Sequence, residues 1–214
     1  MNHQLTDMEI LNRLYYINLE YRTDLYKSIN DVIDNLKFDR NKVTRIEAIP
    51  KQNGAYGCAL SHIKVLEDAK ANGYNKIMIL EDDFIPFSYE EMVSKISKFM
   101  REVEEWDVLL LSSNVKKHEN CGIENVSKVV KCHSTIAYCV SGHYIDKLLS
   151  VFRESANELS NIENYAEPCV HCIDVKWGKL QLEDNWFVFN PILGREYPKY
   201  SDVQKRYLDH YENI

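Results

Sequence analysis

Three consecutive carboxylates, Glu81-Asp82-Asp83, follow directly on the apolar run Ile77-Met78-Ile79-Leu80. A continuous apolar run of this length fits a strand buried on both faces inside an α/β sheet. Such a strand delivers its last residues to its carboxyl end, where open α/β sheets bind ligands. Side chains alternate along an extended chain, so Glu81 and Asp83 are expected on one side and Asp82 on the other. Two carboxylates roughly 5–6 Å apart repel by about 3 kcal/mol at an effective dielectric near 20. That repulsion calls for water, a cation or a shifted pKa. Two readings follow: a solvated acidic turn, or a divalent-metal site built from hard oxygen ligands.

The chain around this motif is 214 residues long, enough for one domain with a substantial core. Hydrophobic residues make up 45% and charged residues 28%, ordinary values for a soluble globular protein. A net charge of −7 argues against general nucleic-acid or membrane-surface binding, while leaving room for an anionic small ligand neutralised locally. No apolar run approaches a membrane span, and the start Met1-Asn2-His3-Gln4 lacks a signal-peptide pattern. The reading is therefore cytoplasmic, with six reduced cysteines. Cys169-Val170-His171-Cys172 has one half of a zinc-site spacing, but Cys121, Cys132 and Cys139 supply no second pair.

Strands and helices that could position the acids alternate along the chain. Helical spacing of Met8, Leu11 and Leu14 predicts a helix over Thr6 to Leu14. Leu14 to Leu19 reads as a strand, Asp24 to Leu36 as a helix, and Val43 to Ile49 as a second strand. Gly54 to Gly57 reads as a loop before a helix from Cys58 to Ala71, on which Cys58, Ser61 and His62 share a face. A helix from Tyr89 to Glu102, capped by Ser88, follows the acids, and then a strand from Trp106 to Leu111. Val115 to Asn125 is charged and reads as a surface loop. Val126 to Val130 and Thr135 to Val140 are strand-like, and Tyr144 to Phe152 is helical. Ser155 to Pro168 reads as irregular, Cys172 to Leu182 as a helix, Trp186 to Phe189 as a last strand, and the end as a charged tail. This alternation predicts a largely parallel α/β sheet.

Seven segments in chain order carry a resemblance to one known family. Tyr16 to Arg22 is similar to the family's opening "INL-x-x-R", and Gly54 to His62 to its "GExGCxxSH". Ile79 to Asp83 matches "ILEDD", and Trp106 to Leu111 matches "WDxxxL". Thr135 to Ser141 resembles "TxAYxxS", Ile173-Asp174 resembles "PVD", and Tyr200 to Val203 resembles "YSDI". On these segments the chain resembles glycosyltransferase family 25, with two departures: the family's Glu after the first glycine is Ala55, and its usual Trp is Leu66.

The resemblance implies a GT-A type fold: a Rossmann-like, mainly parallel mixed sheet flanked by helices. A nucleotide-sugar half at about residues 15–114 would be joined to an acceptor half at about 115–203, with a tail over 204–214, all in one domain. It implies a metal-dependent, inverting transfer of galactose or glucose from UDP-galactose or UDP-glucose to a glycan or glycoprotein hydroxyl. Glu81 and Asp83 would hold Mn²⁺ or Mg²⁺, and Asp82 would meet ribose or sugar hydroxyls. Asp174 would be the base, with His171 three residues earlier as a competitor or Asp174 merely capping a helix. Arg22, read as an anion-binding fork or as a surface partner of Glu20 or Asp24, joins Asn18, Gly57, Ser61, His62 and Asp202 as donor-binding candidates. A degenerate member that binds without catalysis and a metal-dependent phosphoesterase remain alternatives. An exposed Tyr-rich surface is compatible with a homodimer.

Overall fold

A computed structural model describes residues 7–208. Its centre is a six-stranded sheet in the order β2-β1-β3-β6-β5-β7. Strand β1 (Arg13–Asn18) lies between β2 (Val43–Glu47) and β3 (Lys76–Glu81) and is parallel to both. β5 (Val108–Asn120) pairs in parallel with β7 (Trp186–Phe189), and β6 (Val126–Ser141) runs antiparallel to β3, β5 and β7. The sheet is thus mixed and mainly parallel, with only β6 reversed.

Alternate side chains of the buried strands enter two cores. Tyr15, Ile77, Ile79, Leu110 and Val140 face one side, against α2 (Gly54–Ala71) and α4 (Ile145–Leu159). Leu14, Tyr16, Met78, Leu80 and Leu109 face the other, against α1 (Thr23–Asn35) and α3 (Tyr89–Glu102). Burial on both faces explains why β3 reads as an uninterrupted apolar run rather than an alternating one. Ser88 caps α3 as its sequence predicts, its side chain accepting from the Glu91 N–H.

Several expected boundaries change. Thr6 lies outside the described residues, and the rest of the expected first helix is a short 3-10 turn, Asp7–Ile10, before β1 begins at Arg13. Met8, Leu11 and Leu14 are buried, but from two elements rather than one helix face. Helix α2 starts at Gly54, because the Asn53 side chain caps it by accepting from the Ala55 and Tyr56 N–H groups. The expected loop over Gly54 to Gly57 is therefore the helix's first turn.

The expected surface loop at Val115 to Asn125 is mostly strand. β5 continues to Asn120 and pairs with the first half of β6, with Lys117 opposite Lys131. Its side chains are mostly exposed there, so backbone pairing rather than apolar burial makes the strand. The two strand-like pieces beyond it are one strand, kinked at Ser134, whose φ of 79° is left-handed. α4 runs on to Leu159, so the first residues of the expected irregular stretch are helical. The expected helix from Cys172 to Leu182 divides into α5 (Ile173–Lys176) and α6 (Gly178–Glu183).

β4 (Phe84–Pro86) pairs antiparallel with β8 (Gly194–Glu196), and β9 (Lys199–Ser201) with β10 (Arg206–Leu208). The region expected as a charged tail is therefore folded through Leu208. Residues 209–214 lie outside the described part. The six cysteines are not all free, since Cys169 and Cys172 form a disulfide. Among the described residues, no helix is long and apolar enough to cross a membrane.

Candidate functional site

A cleft of about 800 Å³ opens at the carboxyl ends of β1, β2 and β3, within the range of small-molecule sites. The chain leaves β1 for β2 on one side and returns to β3 on the other, so this is the sheet's topological switch point. Glu81, Asp82 and Asp83 form part of the floor.

The alternation expected for these acids ends at Glu81. Asp82 and Asp83 make a turn between β3 and β4 instead of continuing the strand. Asp82 and Asp83 consequently share a cation: Lys199 Nζ lies 2.8 Å from Asp83 and 3.8 Å from Asp82. Glu81 instead turns toward α2 and β6. Its Oε1 accepts a 2.5 Å hydrogen bond from the Thr135 hydroxyl and stands 3.4 Å from His62 Nε2.

The charge balance of the floor is negative. Asp83 is 2% exposed, and its Oδ1 has no hydrogen-bond partner among the described residues. Burial, reinforced by the charge of Asp83, pushes the Asp82 carboxyl up to about 7. Burial likewise pushes Glu196 to about 8, with Asp83 and Glu81 adding to the rise. Burial opposes the Lys199 ammonium, yet Asp83 and Asp82 hold its pKa above the usual lysine value. One ammonium thus faces four carboxyl groups. The chemistry suits a divalent cation, with hard oxygen ligands, surplus negative charge and an unpartnered buried oxygen at Asp83, but among the described residues no three of these carboxyls have oxygens within 4.8 Å of one another.

A pH dependence follows. Asp82 and Glu196 hold protons in the fold at pH values where unfolded carboxyls have lost them. Their contribution to stability is present below about pH 4 and is lost as pH rises through about 7 to 8. Thermal unfolding of metal-free protein is expected to show a falling midpoint between about pH 4 and 8, levelling off above that. Saturating Mn²⁺ is expected to flatten that fall by supplying the missing positive charge.

Asn18, at the end of β1, donates to Asp82 Oδ2 at 2.7 Å and accepts from Arg45 at 2.8 Å. Its amide therefore orients Asp82. Arg22 meets Asp24 through two nitrogens at 3.0 Å, and its third reaches Asp202 at 2.7 Å. The Tyr21 hydroxyl donates to the other oxygen of Asp202. Arg22 thus fixes the segment carrying Lys199 and Asp202 across the mouth of the cleft, and its pairing with Asp24 is realised as well.

Gly57 packs where a Cβ would stand 2.4 Å from the Ile49 carbonyl, so it lets α2 approach the end of β2. Ser61 completes that junction. Its hydroxyl donates to the Gly57 carbonyl and accepts from the Ile49 N–H. Both residues shape the cleft wall that they line.

Asp174 sits in the first turn of α5 and lines the cleft. It is not the helix cap: that position is Cys172, and Asp174 Oδ2 accepts from the Ser134 N–H at 2.9 Å instead. The left-handed kink at Ser134 directs this N–H at Asp174, while the next residue, Thr135, holds Glu81. Strained backbone of this kind concentrates at functional sites. His171 is turned to Glu158 at 2.5 Å and is not among the cleft-lining residues. The histidine near Asp174 is His133, 4.0 Å away, whose pKa burial lowers.

Lys199, Glu196, Thr135, Cys58 and His133 belong to the cleft and went unnoticed as site residues in the sequence. Cys58 and Thr135 carried a signal as motif positions, and Lys199 stands two residues before the Ser201-Asp202 pair, whereas Glu196 and His133 carried none.

An α/β sheet with one reversed strand and an acidic cleft at its switch point is a GT-A type architecture. The chain belongs to glycosyltransferase family 25, whose model, described as "LPS biosynthesis protein", matches residues 50–158. No curated protein sequence matches it. Among solved structures it is similar to A197 from STIV, with a TM-score of 0.49 at 11% identity over 95% of this chain and 98% of that one. Mannose-1-phosphate geranyltransferase from Thermus thermophilus gives 0.49 at 10% identity, over 86% and 74%. UDP-glucose pyrophosphorylase complexed with UDP-glucose gives 0.48 at 9% identity, over 89% and 75%.

Proposed function

We propose that the protein transfers a hexose, galactose or glucose, from a UDP-sugar to a hydroxyl of a glycan or glycoprotein acceptor, with inversion at the anomeric carbon. The observation that carries this reading is Asp83. It is a buried carboxylate with one unpartnered oxygen, set among acids at the switch point of a family 25 chain.

Asp83 would hold Mn²⁺ or Mg²⁺, with Glu81 joining it on turning from Thr135 and His62, and the bound ion would neutralise charge on the departing diphosphate. Asp82, oriented by Asn18, faces the donor's hydroxyls. Arg22 keeps Asp202 and Lys199 closed over the donor, and Gly57, Ser61 and His62 shape its wall. Residues 15–114 supply this donor half, and 115–203 the acceptor half. There Asp174 accepts the acceptor hydroxyl's proton as the new C1–O bond forms. The bond from C1 to the phosphate oxygen breaks at the same time, and UDP leaves with its electron pair.

Acceptor-dependent UDP release from UDP-galactose or UDP-glucose, measured with Mn²⁺ over an acceptor mixture and again after chelation, tests this. Release that needs both Mn²⁺ and acceptor is expected. Hydrolysis of simple phosphoesters with no use of a nucleotide sugar would refute it. Lys199 motivates a second reading, because its ammonium already sits 2.8 Å from Asp83 where a cation is called for. If Lys199 alone neutralises the diphosphate, transfer will proceed unchanged in the chelator.

A further inference from the structure

We propose that Cys58, His62 and Glu81 form a second cation site, selective for zinc-like divalent ions, whose occupation inhibits the transferase. The inhibitory part rests on the transferase reading; the binding part does not.

The site is built by two elements. Cys58 and His62 stand four residues apart on α2 and so share a face, and Glu81 arrives from the end of β3 beneath them. One ligand atom from each lies within 4.8 Å of the other two. A tetrahedral zinc ion with its usual bond lengths spaces ligand atoms roughly 3.3–3.7 Å apart. Side-chain shifts of about 1 Å are enough to reach that spacing.

The surroundings are those of a ligand set. His62 is 1% exposed, and its Nδ1 pairs with the Tyr138 hydroxyl at 2.8 Å. That contact turns Nε2 toward Glu81 Oε1, 3.4 Å away, long for a hydrogen bond. Ligating histidines are oriented in this way through their second nitrogen. Thr135 anchors Glu81 in the same manner. Cys58 and Glu81 are only partly covered and line the cleft, which leaves a fourth position for water.

Donor chemistry separates this site from the one at Asp83. A thiolate, an imidazole and one carboxylate favour zinc or cobalt, whereas Mn²⁺ and Mg²⁺ prefer oxygen ligands. Binding forms a sulfur–metal bond at Cys58 and releases the thiol proton to solvent. Glu81 is then committed to the zinc-like ion and withdrawn from the donor's cation.

The test is a Co²⁺ titration of the 214-residue protein with its Cys169–Cys172 disulfide intact, reading the thiolate-to-cobalt absorption. One equivalent is expected to give the band, Cys58→Ser and Cys58→Ala to abolish it, and Asp83→Asn to keep it. Under saturating Mn²⁺, zinc is expected to inhibit transfer by the wild type, with about tenfold or greater resistance in Cys58→Ser. Absence of the band, or a band surviving both Cys58 variants, overturns the site. Equal zinc sensitivity of wild type and Cys58→Ser overturns the inhibitory role. Failure of transfer itself leaves the cobalt readout intact, so it strikes only the transferase reading.

Discussion

Replacing Asp83 by asparagine is expected to lower kcat for sugar transfer about 10²- to 10³-fold, the loss typical when one electrostatic stabiliser of a developing anion is removed. The substitution keeps size and shape but removes the buried charge that pairs with Lys199 at 2.8 Å. Lys199 retains Asp82 at 3.8 Å, so the ammonium is not stranded and the fold is expected to persist. Two measurements separate the cation's role from a general loss of structure. Mn²⁺ should raise the unfolding midpoint of the wild type and leave that of Asp83→Asn nearly unchanged. Turnover by the variant at the wild-type rate, with Mn²⁺ still required, would remove Asp83 from the metal site.

What the sequence revealed of this site followed from how each part is built. β3 was legible because a strand buried on both faces must be apolar throughout, and the acids had to begin where burial ended. Their partners were not legible. Thr135 reaches Glu81 because β6 pairs with β3 in a register that sets Leu80 opposite Ala137. Glu196 and Lys199 come close because β4 pairs with β8, more than a hundred positions later in the chain. No local pattern encodes such a register. The outer half of β5 was missed for a different reason: its side chains are mostly exposed and several are charged, so the polarity that marks a loop also marks a solvated ladder. The turn at Asp82 and Asp83 defeated the alternation rule because that rule holds only while the chain stays extended. Family resemblance reached what periodicity could not. It led to Asp174 and Asp202, in segments whose composition alone reads as ordinary surface.

Asp174→Asn is expected to reduce kcat by about 10²- to 10⁴-fold, the usual contribution of a general base, with the affinity for UDP unchanged by calorimetry. The variant preserves the geometry, since the asparagine oxygen can still accept from the Ser134 N–H at 2.9 Å. His133, 4.0 Å away, does not hold the carboxylate in a firm ion pair, because burial lowers its pKa and favours the neutral ring near neutral pH. The acceptor's own acidity gives the decisive readout. A base matters most when the attacking hydroxyl is a weak acid, so the variant's defect should shrink as aliphatic acceptors are replaced by phenolic ones. A structural role for Asp174 predicts the same loss for every acceptor. An equal deficit across acceptors would assign the proton transfer to another group in the cleft, with His133, 4.0 Å from Asp174, the first to test.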